Sequence, residues 1–298
     1  MIQTDQAQDI VARAIDMHVH IGPEVIPRKY TAASLDLAER GKLRGAVLKN
    51  HFYATAPFVA EVKNADLELY GAIVLNNSVG GLNPEAVRAA AALSDRRIVV
   101  WMPTISAEQF LENSEFEIAP EWTKGTSFQS RKASKVQGIS LQKNGALTQS
   151  AKSVIDEVAN IGAVLATGHI SWQESVQVTN YALSVGANSI IVTHPIYQRI
   201  SMPIEIQKEL VTKGCFMEVC YSMFSLDDIS IKEIAKQIKE IGPDGIVLSS
   251  DVGQKTSESP SEALTKFCKL LLKEKIPVEW LEIMLVKNPR KLLGEVNK

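Results

Sequence analysis

Short apolar runs rich in valine and isoleucine alternate along this chain with longer amphipathic stretches. Most of the runs are continuously apolar, which is typical of parallel strands that are covered on both faces. Eight runs are predicted as strands, at residues 15–21, 45–52, 69–75, 98–102, 163–167, 189–193, 215–220 and 245–249.

The stretches between these runs are predicted as helices, and most of them end at a glycine, which closes a helix in the left-handed conformation. They cover residues 31–42, 84–93, 150–161, 175–185, 205–213 and 229–241. Eight strands alternating with helices predict an α/β fold, a (β/α)₈ TIM barrel, whose usual size is about 250 residues. The alternative is an open doubly wound sheet, which would normally show a glycine-rich phosphate turn after its first strand. This chain has Asp16-Met17-His18-Val19-His20 there.

One connection is unusually long. Between the fourth and fifth predicted strands the spacing is more than twice the roughly 25–30 residues of one strand–helix unit. We therefore expect a single domain over residues 1–298 with an insertion at residues 105–149, on the face where barrel active sites form. Asn144-Gly145 predicts a small hairpin within it. The insertion is either a lid or a loop that only covers the barrel end.

Composition narrows the class of protein. Of 298 residues, 45% are hydrophobic, so the chain can bury a large core without disulfide support. Its 32 basic and 34 acidic residues argue against a nucleic-acid or membrane-surface binder, and no apolar run reaches the length of a membrane helix. The polar N-terminus shows no signal peptide, and Cys215, Cys220 and Cys268 have no metal or disulfide spacing. We expect a cytoplasmic protein with free thiols.

The five histidines all fall at the C-terminal end of a predicted strand, where barrel enzymes carry their chemistry. They are His18, His20, His51, His169 and His194. A single histidine on an apolar strand is more often a hydrogen-bonded core residue. His18 and His20, however, lie two residues apart on a strand, so both imidazoles face one side and can reach one ion.

Asp251 ends the eighth predicted strand. An aspartate there often caps the next helix, but Gly253 and Pro260 delay that helix, which favours metal ligation. Together, the histidines and Asp251 resemble the metal-binding set of the amidohydrolase superfamily of metal-dependent hydrolases. The ending Asn288-Pro289-Arg290-Lys291-Leu292-Leu293-Gly294 is similar to the helix that often closes those chains. The resemblance covers essentially the whole length. A closer resemblance to an uncharacterised branch rests on residues 47–51, 75–84 and 100–104 and gives no substrate.

The resemblance implies a divalent metal, zinc in the first place, held by His18, His20, His169 and Asp251. It also implies that Asp251 accepts a proton from the water that the metal activates. His194 would be a ligand of a second ion in a two-metal enzyme, or would orient the water or polarise the scissile group in a one-metal enzyme. Two-metal members usually carry a bridging lysine or glutamate at the end of strand four. This chain has Trp101-Met102-Pro103-Thr104 there, which favours one ion.

Lys49 and His51 share a face of the second predicted strand, beside the histidine pair. Lys49 is a candidate catalytic residue as a neutral amine, a carboxylated bridge, or an ammonium neutralised by an anionic substrate. It is otherwise a lysine at the rim. Glu218, which shares a face with Cys220, could pair with Lys49 or orient a ligand imidazole. Asp16 could support the ligands in the same way.

Several residues are candidates for substrate binding: His51, Arg28 as a clamp for carboxylate or phosphate, and Asn76 in a glycine-rich loop that either binds an anion or is an ordinary connection. The basic residues of the insertion are expected to be solvated. We expect a hydrolase of a small, anionic molecule at an amide, lactone or ester bond. The alternatives are a metal-dependent decarboxylase or lyase of a carboxylated substrate and a non-catalytic metal-binding barrel. No nucleic-acid or membrane partner is expected, and a homo-oligomer is left open.

Overall fold

Eight parallel strands form the barrel in the computed structural model, which describes residues 2–295. Seven of the eight pairs of neighbouring strands are hydrogen-bonded within two sheets, in which the strands follow chain order. The strands are β1 (Ile15–His20), β2 (Gly45–Lys49), β3 (Glu68–Tyr70 and Ala72–Val74), β4 (Val99–Trp101), β5 (Val164–Ala166), β6 (Ile190–Val192), β7 (Phe216–Cys220) and β8 (Ile246–Ser249). Every predicted strand is present, so the predicted fold class is confirmed.

Two junctions join the sheets into a closed barrel. At the first, β3 is interrupted by Gly71, and its two halves pair with β2 and β4 respectively. A Cβ atom at Gly71 would lie 2.7 Å from the Cα of Ala56, so this residue has room only for hydrogen. At the second, the segment after β8 pairs with β1: His20 N donates to Val252 O at 2.8 Å, and Asp251 N donates to His18 O at 2.9 Å.

Strand β1 contains a bulge. Asp16 pairs with Ala46, but Val19 pairs with Leu48, so three residues of β1 span two residues of β2. The extra residue changes the alternation of inward and outward side chains. Met17 packs in the barrel interior, while His18 begins the inward-facing pair at the mouth.

The predicted helices are all found, with ends shifted by up to three residues. The helices are α1 (Ile2–Arg13), α2 (Ala32–Glu39), α3 (Ala56–Ala60), α4 (Pro84–Ala92), α5 (Glu108–Glu112), α6 (Gln149–Ile161), α7 (Trp172–Ser184), α8 (Ile204–Thr212), α9 (Tyr221–Ser225), α10 (Ile231–Ile241), α11 (Pro260–Lys273), α12 (Val278–Glu282) and α13 (Asn288–Leu293). Within the described residues, none of these helices combines the length and the apolar character that a bilayer crossing requires.

Two apolar cores hold the barrel. One lies between the strands and the surrounding helices. The other fills the lower interior of the barrel, and Leu292 and Leu293 of α13 belong to it. The chain-closing motif noted in the sequence therefore has a packing role, because it covers the end of the barrel opposite the strand C-termini.

The segment between β4 and α6 folds over the mouth of the barrel. It contains α5, two short 3₁₀ turns at Pro120–Thr123 and Ala133–Lys135, and the hairpin formed by Gln142–Lys143 and Ala146–Leu147. Asn144 and Gly145 both have positive φ in the hairpin turn, as the Asn-Gly pair predicted.

Candidate metal centre

A cavity of about 390 Å³ opens at the C-terminal ends of the strands. Of the nine predicted site residues, seven line this cavity and one lies directly beneath it. Those seven are His20, Arg28, Lys49, His51, His169, His194 and Asp251. His18 lies directly below them and is fully buried. The opposite wall comes from the insertion, through Ile105, Phe110 and residues 114–122.

Asp251 is the point where the histidines of β1 converge. Its Oδ1 atom lies 3.0 Å from Nε2 of His18 and 3.0 Å from Nε2 of His20. These three atoms lie within 4.8 Å of one another, which is close enough for one ion. Its Oδ2 atom accepts a hydrogen bond from Ser222 Oγ at 2.6 Å and lies 3.5 Å from His194 Nε2. The two carboxylate oxygens thus face different partners.

Lys49 and Glu218 flank His18 on its two nitrogens. Lys49 Nζ lies 2.9 Å from Nε2, and Glu218 Oε1 lies 3.1 Å from Nδ1. Glu218 Oε2 lies 3.8 Å from Nδ1 of His194. Because a carboxylate only accepts, His18 donates from Nδ1, which leaves its Nε2 lone pair directed toward Lys49 Nζ and Asp251 Oδ1. Of the two roles considered for Glu218, the structure shows the orientation of an imidazole.

Lys49 points into the barrel and is fully buried. Its Nζ atom lies 5.1 Å from the ring centroid of Trp101, the residue that fills the interior at the end of β4. Burial lowers the pKa of Lys49 below its usual range, against the pull of Asp251 and Glu218. This burial is inconsistent with the alternative hypothesis that Lys49 is a solvent-exposed lysine at the barrel rim.

The protonation states of the site are those of metal ligands. Burial lowers the pKa of His20 and His169 well below the usual histidine value, and that of His194 to about 4. Burial alone would raise the pKa of Asp251, but the surrounding imidazoles, His18 foremost, hold it well below its usual range. Neutral imidazoles and an ionised carboxylate are the forms that coordinate a divalent ion.

Asp16 supports the strands beneath the site. Its Oδ1 atom accepts from His18 N at 3.1 Å and from Ser250 N at 3.0 Å, so it links β1 to β8. Burial raises the pKa of Asp16 to about 7. The bulge explains why this side chain bonds to backbone beside the ligands and does not point into the cavity with them.

Asn76 and Thr104 hold His51 in place. His51 Nδ1 lies 2.9 Å from Thr104 Oγ1, which also accepts from Asn76 Nδ2 at 2.8 Å. Asn76 Oδ1 accepts from the backbone of Thr104 and Ser106. The amide of Asn76 is therefore fully engaged with protein groups, and this residue lies behind the cavity wall. The predicted role of Asn76 in contacting substrate does not fit this position.

His169 stands apart from the group around Asp251. Its ring centroid lies 5.6 Å from that of His194 and 6.4 Å from that of His51. Within residues 2–295 its Nδ1 atom has no hydrogen-bond partner. Gly168 allows this placement, because a Cβ atom there would lie 2.3 Å from Met102 O. The structure therefore brings three of the four implied ligands together and leaves the fourth across the cavity.

Two site residues have strained backbones. His194 has φ of 48° and Asp251 has φ of 52°, a region that costs non-glycine residues free energy. Such conformations persist where the surrounding structure holds them, and they are common at functional sites. Here they lie two residues after the ends of β6 and β8 and turn both side chains over the barrel mouth.

Arg28 is already paired. Its Nε atom donates to Glu24, and both side chains are almost fully buried. Glu24 Oε1 also accepts from His51 N at 3.0 Å. Arg28 lines the cavity, but its charge is neutralised by Glu24, so it is a weaker anion clamp than its sequence position predicted. His20, Glu24 and His51 form a second group whose ligand atoms lie within 4.8 Å of one another.

The donor set fits a divalent ion. Imidazole nitrogens and a carboxylate oxygen are ligands that zinc and similar ions bind. Three side chains of this site carry a buried polar atom without a hydrogen-bond partner in the described chain: His20 Nδ1, His194 Nδ1 and Glu218 Oε2. Unpartnered buried polar atoms are costly, so their accumulation marks this place as functional.

Sequence reasoning missed four cavity or support residues: Thr104, Tyr197, Arg199 and Ser222. Thr104 follows β4, and Ser222 follows β7. Tyr197 and Arg199 lie three and five residues after His194. The signal that could have found them is their position, because the loops that follow barrel strands form the catalytic face.

Solved structures share this architecture. An amidohydrolase from Pseudomonas aeruginosa aligns over 99% of this chain and 98% of its own, with a TM-score of 0.61 and 12% identity. A protein assigned as the dipeptidase PvdM, from Pseudomonas aeruginosa, aligns over 99% and 98%, with a TM-score of 0.58 and 11% identity. A protein assigned as a 2-pyrone-4,6-dicarboxylic acid hydrolase, from Pseudomonas putida, aligns over 96% and 99%, with a TM-score of 0.55 and 13% identity.

The fold is therefore a TIM barrel that these solved structures share, as the sequence predicted. At these identities the likeness establishes the fold alone. Residues 13–218 match the protein family described as "Family of unknown function (DUF6282)", and the chain belongs to that family. A search of curated proteins finds no significant match.

Proposed function

We propose that this protein is a metal-dependent hydrolase that acts on a small molecule at an amide, lactone or ester bond. One observation carries the proposal: Nε2 of His18 and Nε2 of His20 both lie 3.0 Å from Oδ1 of Asp251, at the floor of a cavity. In this arrangement His18, His20 and Asp251 would hold the ion, zinc in the first place. His169 and His194 stand beside it as further ligands or as groups that orient substrate.

A bound divalent ion would lower the pKa of water and polarise the scissile bond. Two side chains of the protein would accept the proton and stabilise the developing charge. The Oδ2 atom of Asp251, held by Ser222, is placed to accept a proton. His194, whose pKa burial lowers to about 4, is neutral at physiological pH and can donate a hydrogen bond to a developing negative charge.

The chemical state of Lys49 distinguishes a one-metal centre from a two-metal centre. We propose that it is an ammonium and that one ion binds, because β4 ends at Trp101 and supplies no bridging carboxylate. A carboxylated Lys49 would instead bridge two ions, with His194 on the second. Intact-mass measurement and metal stoichiometry distinguish these states, since carboxylation adds a CO₂ unit and should accompany two ions per chain.

The three cysteines are buried free thiols, which supports a place of action in the reducing cytoplasm. Lys49 and Arg199 line the cavity and make no ion pair within residues 2–295, which supports an anionic substrate. They also favour a second candidate function, a metal-dependent decarboxylase, because Lys49 Nζ lies beside the ligand site, where it could neutralise a substrate carboxylate. Reaction in ¹⁸O-labelled water separates the two: a hydrolase incorporates the label into product, whereas a decarboxylase releases CO₂ without hydrolytic incorporation.

Elemental analysis of the purified protein tests the metal centre. We expect about one divalent ion per chain in the wild type and loss of that ion in the double variant His18→Ala/His20→Ala, with the far-ultraviolet circular dichroism spectrum retained. His51→Ala is the matched control, because His51 lines the same cavity outside the group around Asp251. Full metal occupancy in the double variant would overturn the proposal, and loss of the ion in His51→Ala as well would place it at the group of His20, Glu24 and His51.

A further inference from the structure

Arg199 is an arginine of the cavity wall without a carboxylate partner. Within residues 2–295, no carboxylate oxygen lies within 4.0 Å of its guanidinium nitrogens, whereas Arg28 in the same cavity is bonded to Glu24. Arg199 is half-buried and enters from the loop that follows β6. Its charge is therefore available to a ligand, while that of Arg28 is not.

The guanidinium of Arg199 is also held in one place. Its Cζ atom lies 4.5 Å from the ring centroid of Phe110, and Nη1 donates to Ser114 Oγ at 2.5 Å. Gln109 Nε2 donates to the backbone oxygen of Arg199 at 2.7 Å. These three partners all belong to the insertion. A guanidinium that is already ordered loses little side-chain entropy when it binds an anion, and most of its N–H donors stay free.

Tyr197 adds a neutral donor in the same loop. It lines the cavity, and its hydroxyl has no hydrogen-bond partner within the described residues. Burial raises the pKa of Tyr197 to about 12, so the hydroxyl keeps its proton at neutral pH. Its ring centroid lies 6.4 Å from that of His194, which places this donor beside the metal centre.

Five carboxylate residues line the cavity with these donors: Glu115, Glu117, Glu121, Asp227 and Asp251. Glu115 and Glu117 are paired with Lys132 and Arg131. Asp251 belongs to the metal centre. Asp227 makes no ion pair within residues 2–295, and its charge opposes that of any anion bound at Arg199. One unpaired cation with an acid nearby suits a single negative charge better than a dianion.

We propose that Arg199, with the hydroxyl of Tyr197 as a second donor, binds a carboxylate group of the substrate and so selects small monocarboxylates. Trp122 and Leu226 line the same cavity with 49% and 51% of their surface exposed, and they offer contact to an apolar body. The substrate class is then an apolar carboxylate whose reacting bond lies toward Asp251. This assignment of a substrate class rests on the proposed hydrolase function.

Calorimetric titration of the purified protein at pH 7.5 tests the inference, with hippurate and its neutral amide, hippuramide, as probes. We expect the wild type to bind hippurate at least about tenfold more tightly than the amide, as charge-assisted bonds to arginine imply. Arg199→Gln should remove this preference and leave binding of the amide unchanged. Arg199→Lys should restore part of it, and Tyr197→Phe should weaken hippurate binding a few-fold.

Two further variants complete the experiment: the first is a control, and the second removes a nearby negative charge. Arg88→Gln removes one positive charge from the exposed face of α4 and should change nothing. Asp227→Asn should strengthen hippurate binding, because it removes the opposing charge. Binding measurements need no turnover, so an inactive protein with an Arg199-dependent preference would reject the hydrolase and retain the carboxylate site.

Three outcomes would overturn the inference. The first is equal affinity of the wild type for acid and amide, or no measurable binding of the acid. The second is a preference for hippurate that survives in Arg199→Gln, which would place the carboxylate on the metal ion or Lys49. The third is tighter binding of inorganic phosphate than of hippurate, which would identify a dianion site. A purely structural role for Arg199 would lower the melting temperature and leave the discrimination between acid and amide intact.

Discussion

The lower and upper halves of the barrel interior are both largely buried but are built from opposite kinds of side chain. The lower interior is apolar and consists of Ile15, Met17, Val47, Tyr70, Ala72, Val74, Val99, Trp101, Val164, Ala166, Ile191, Phe216, Val247, Leu292 and Leu293. The upper interior consists of His18, His20, Lys49, Glu218 and Asp251. Trp101 separates them, and its ring centroid lies 5.4 Å from that of His18.

This difference separates stability from chemistry. In the lower interior, burial removes apolar surface from water and stabilises the fold. In the upper interior, burial removes hydration from charged groups and leaves polar atoms such as Glu218 Oε2 without partners. The strained backbones of His194 and Asp251 lie in the same half. The upper interior therefore lowers stability, and the rest of the barrel must offset it.

The largest effect expected in the upper interior is on activity. Asp251→Asn should retain much of the bound metal but lower turnover by about 10²–10⁴-fold, because an amide oxygen coordinates but cannot accept a proton. The melting temperature should stay near that of the wild type, since asparagine tolerates positive φ. Asp228→Asn is the control, because Asp228 is exposed and has φ of 55°. Near wild-type turnover in Asp251→Asn would show that the base lies elsewhere.

The lower interior should respond in the opposite way. Phe216→Ala removes a ring that is 3% exposed and should lower the free energy of unfolding by about 3–5 kcal/mol. Chemical denaturation measures this loss, and the folded fraction should keep its metal content. If the variant lost its metal while its unfolding free energy stayed unchanged, the separation between the two halves would be wrong.

Glu218→Gln tests how far the residue that supports His18 contributes to metal affinity. Glutamine can still accept a hydrogen bond from His18 but carries no charge, so metal affinity should fall by about 10–100-fold. Competition with a chelator of known affinity measures this change. Glu157→Gln on α6, which removes a carboxylate that pairs with Arg88 outside the barrel, should leave metal affinity unaltered.

The smallest effect concerns Asp227 and depends on pH. Burial, reinforced by the charge of Asp251, raises the pKa of Asp227 to about 6 in the folded chain. An acid whose pKa is raised on folding binds more protons in the folded state, so its contribution to stability falls as pH rises from about 4 to 6. Asp227→Asn should therefore be more stable than the wild type at pH 7, and the difference should disappear below pH 4. Thermal denaturation at both pH values measures it, and an equal difference at both would refute the pKa assignment.

Sequence reasoning reached the strands and the histidine pair because both follow from local patterns. Continuous apolar runs identify strands covered on both faces, and the spacing of His18 and His20 places them together. The site of Arg199 could not be found in this way. The position of its guanidinium is fixed by a hydrogen bond to Ser114, which lies 85 residues earlier in the chain. The position of Arg28 near the first strand predicts a contact with substrate, but its pairing with Glu24 becomes visible only in three dimensions.

The bulge in β1 has a consequence for how this segment tolerates change. A substitution at Met17 alters one side chain in the lower interior. Deletion of Met17 would remove the extra residue and restore simple alternation, in which Ile15 and both histidines still face inward. Deletion of Val19, between the histidines, would instead turn His20 to the other face, because a shift of one position reverses every side chain that follows it. The protein would keep a strand of nearly the same sequence, yet the pair of histidines at the barrel mouth would be lost. In this segment the number of residues between the histidines matters as much to the metal centre as their identity.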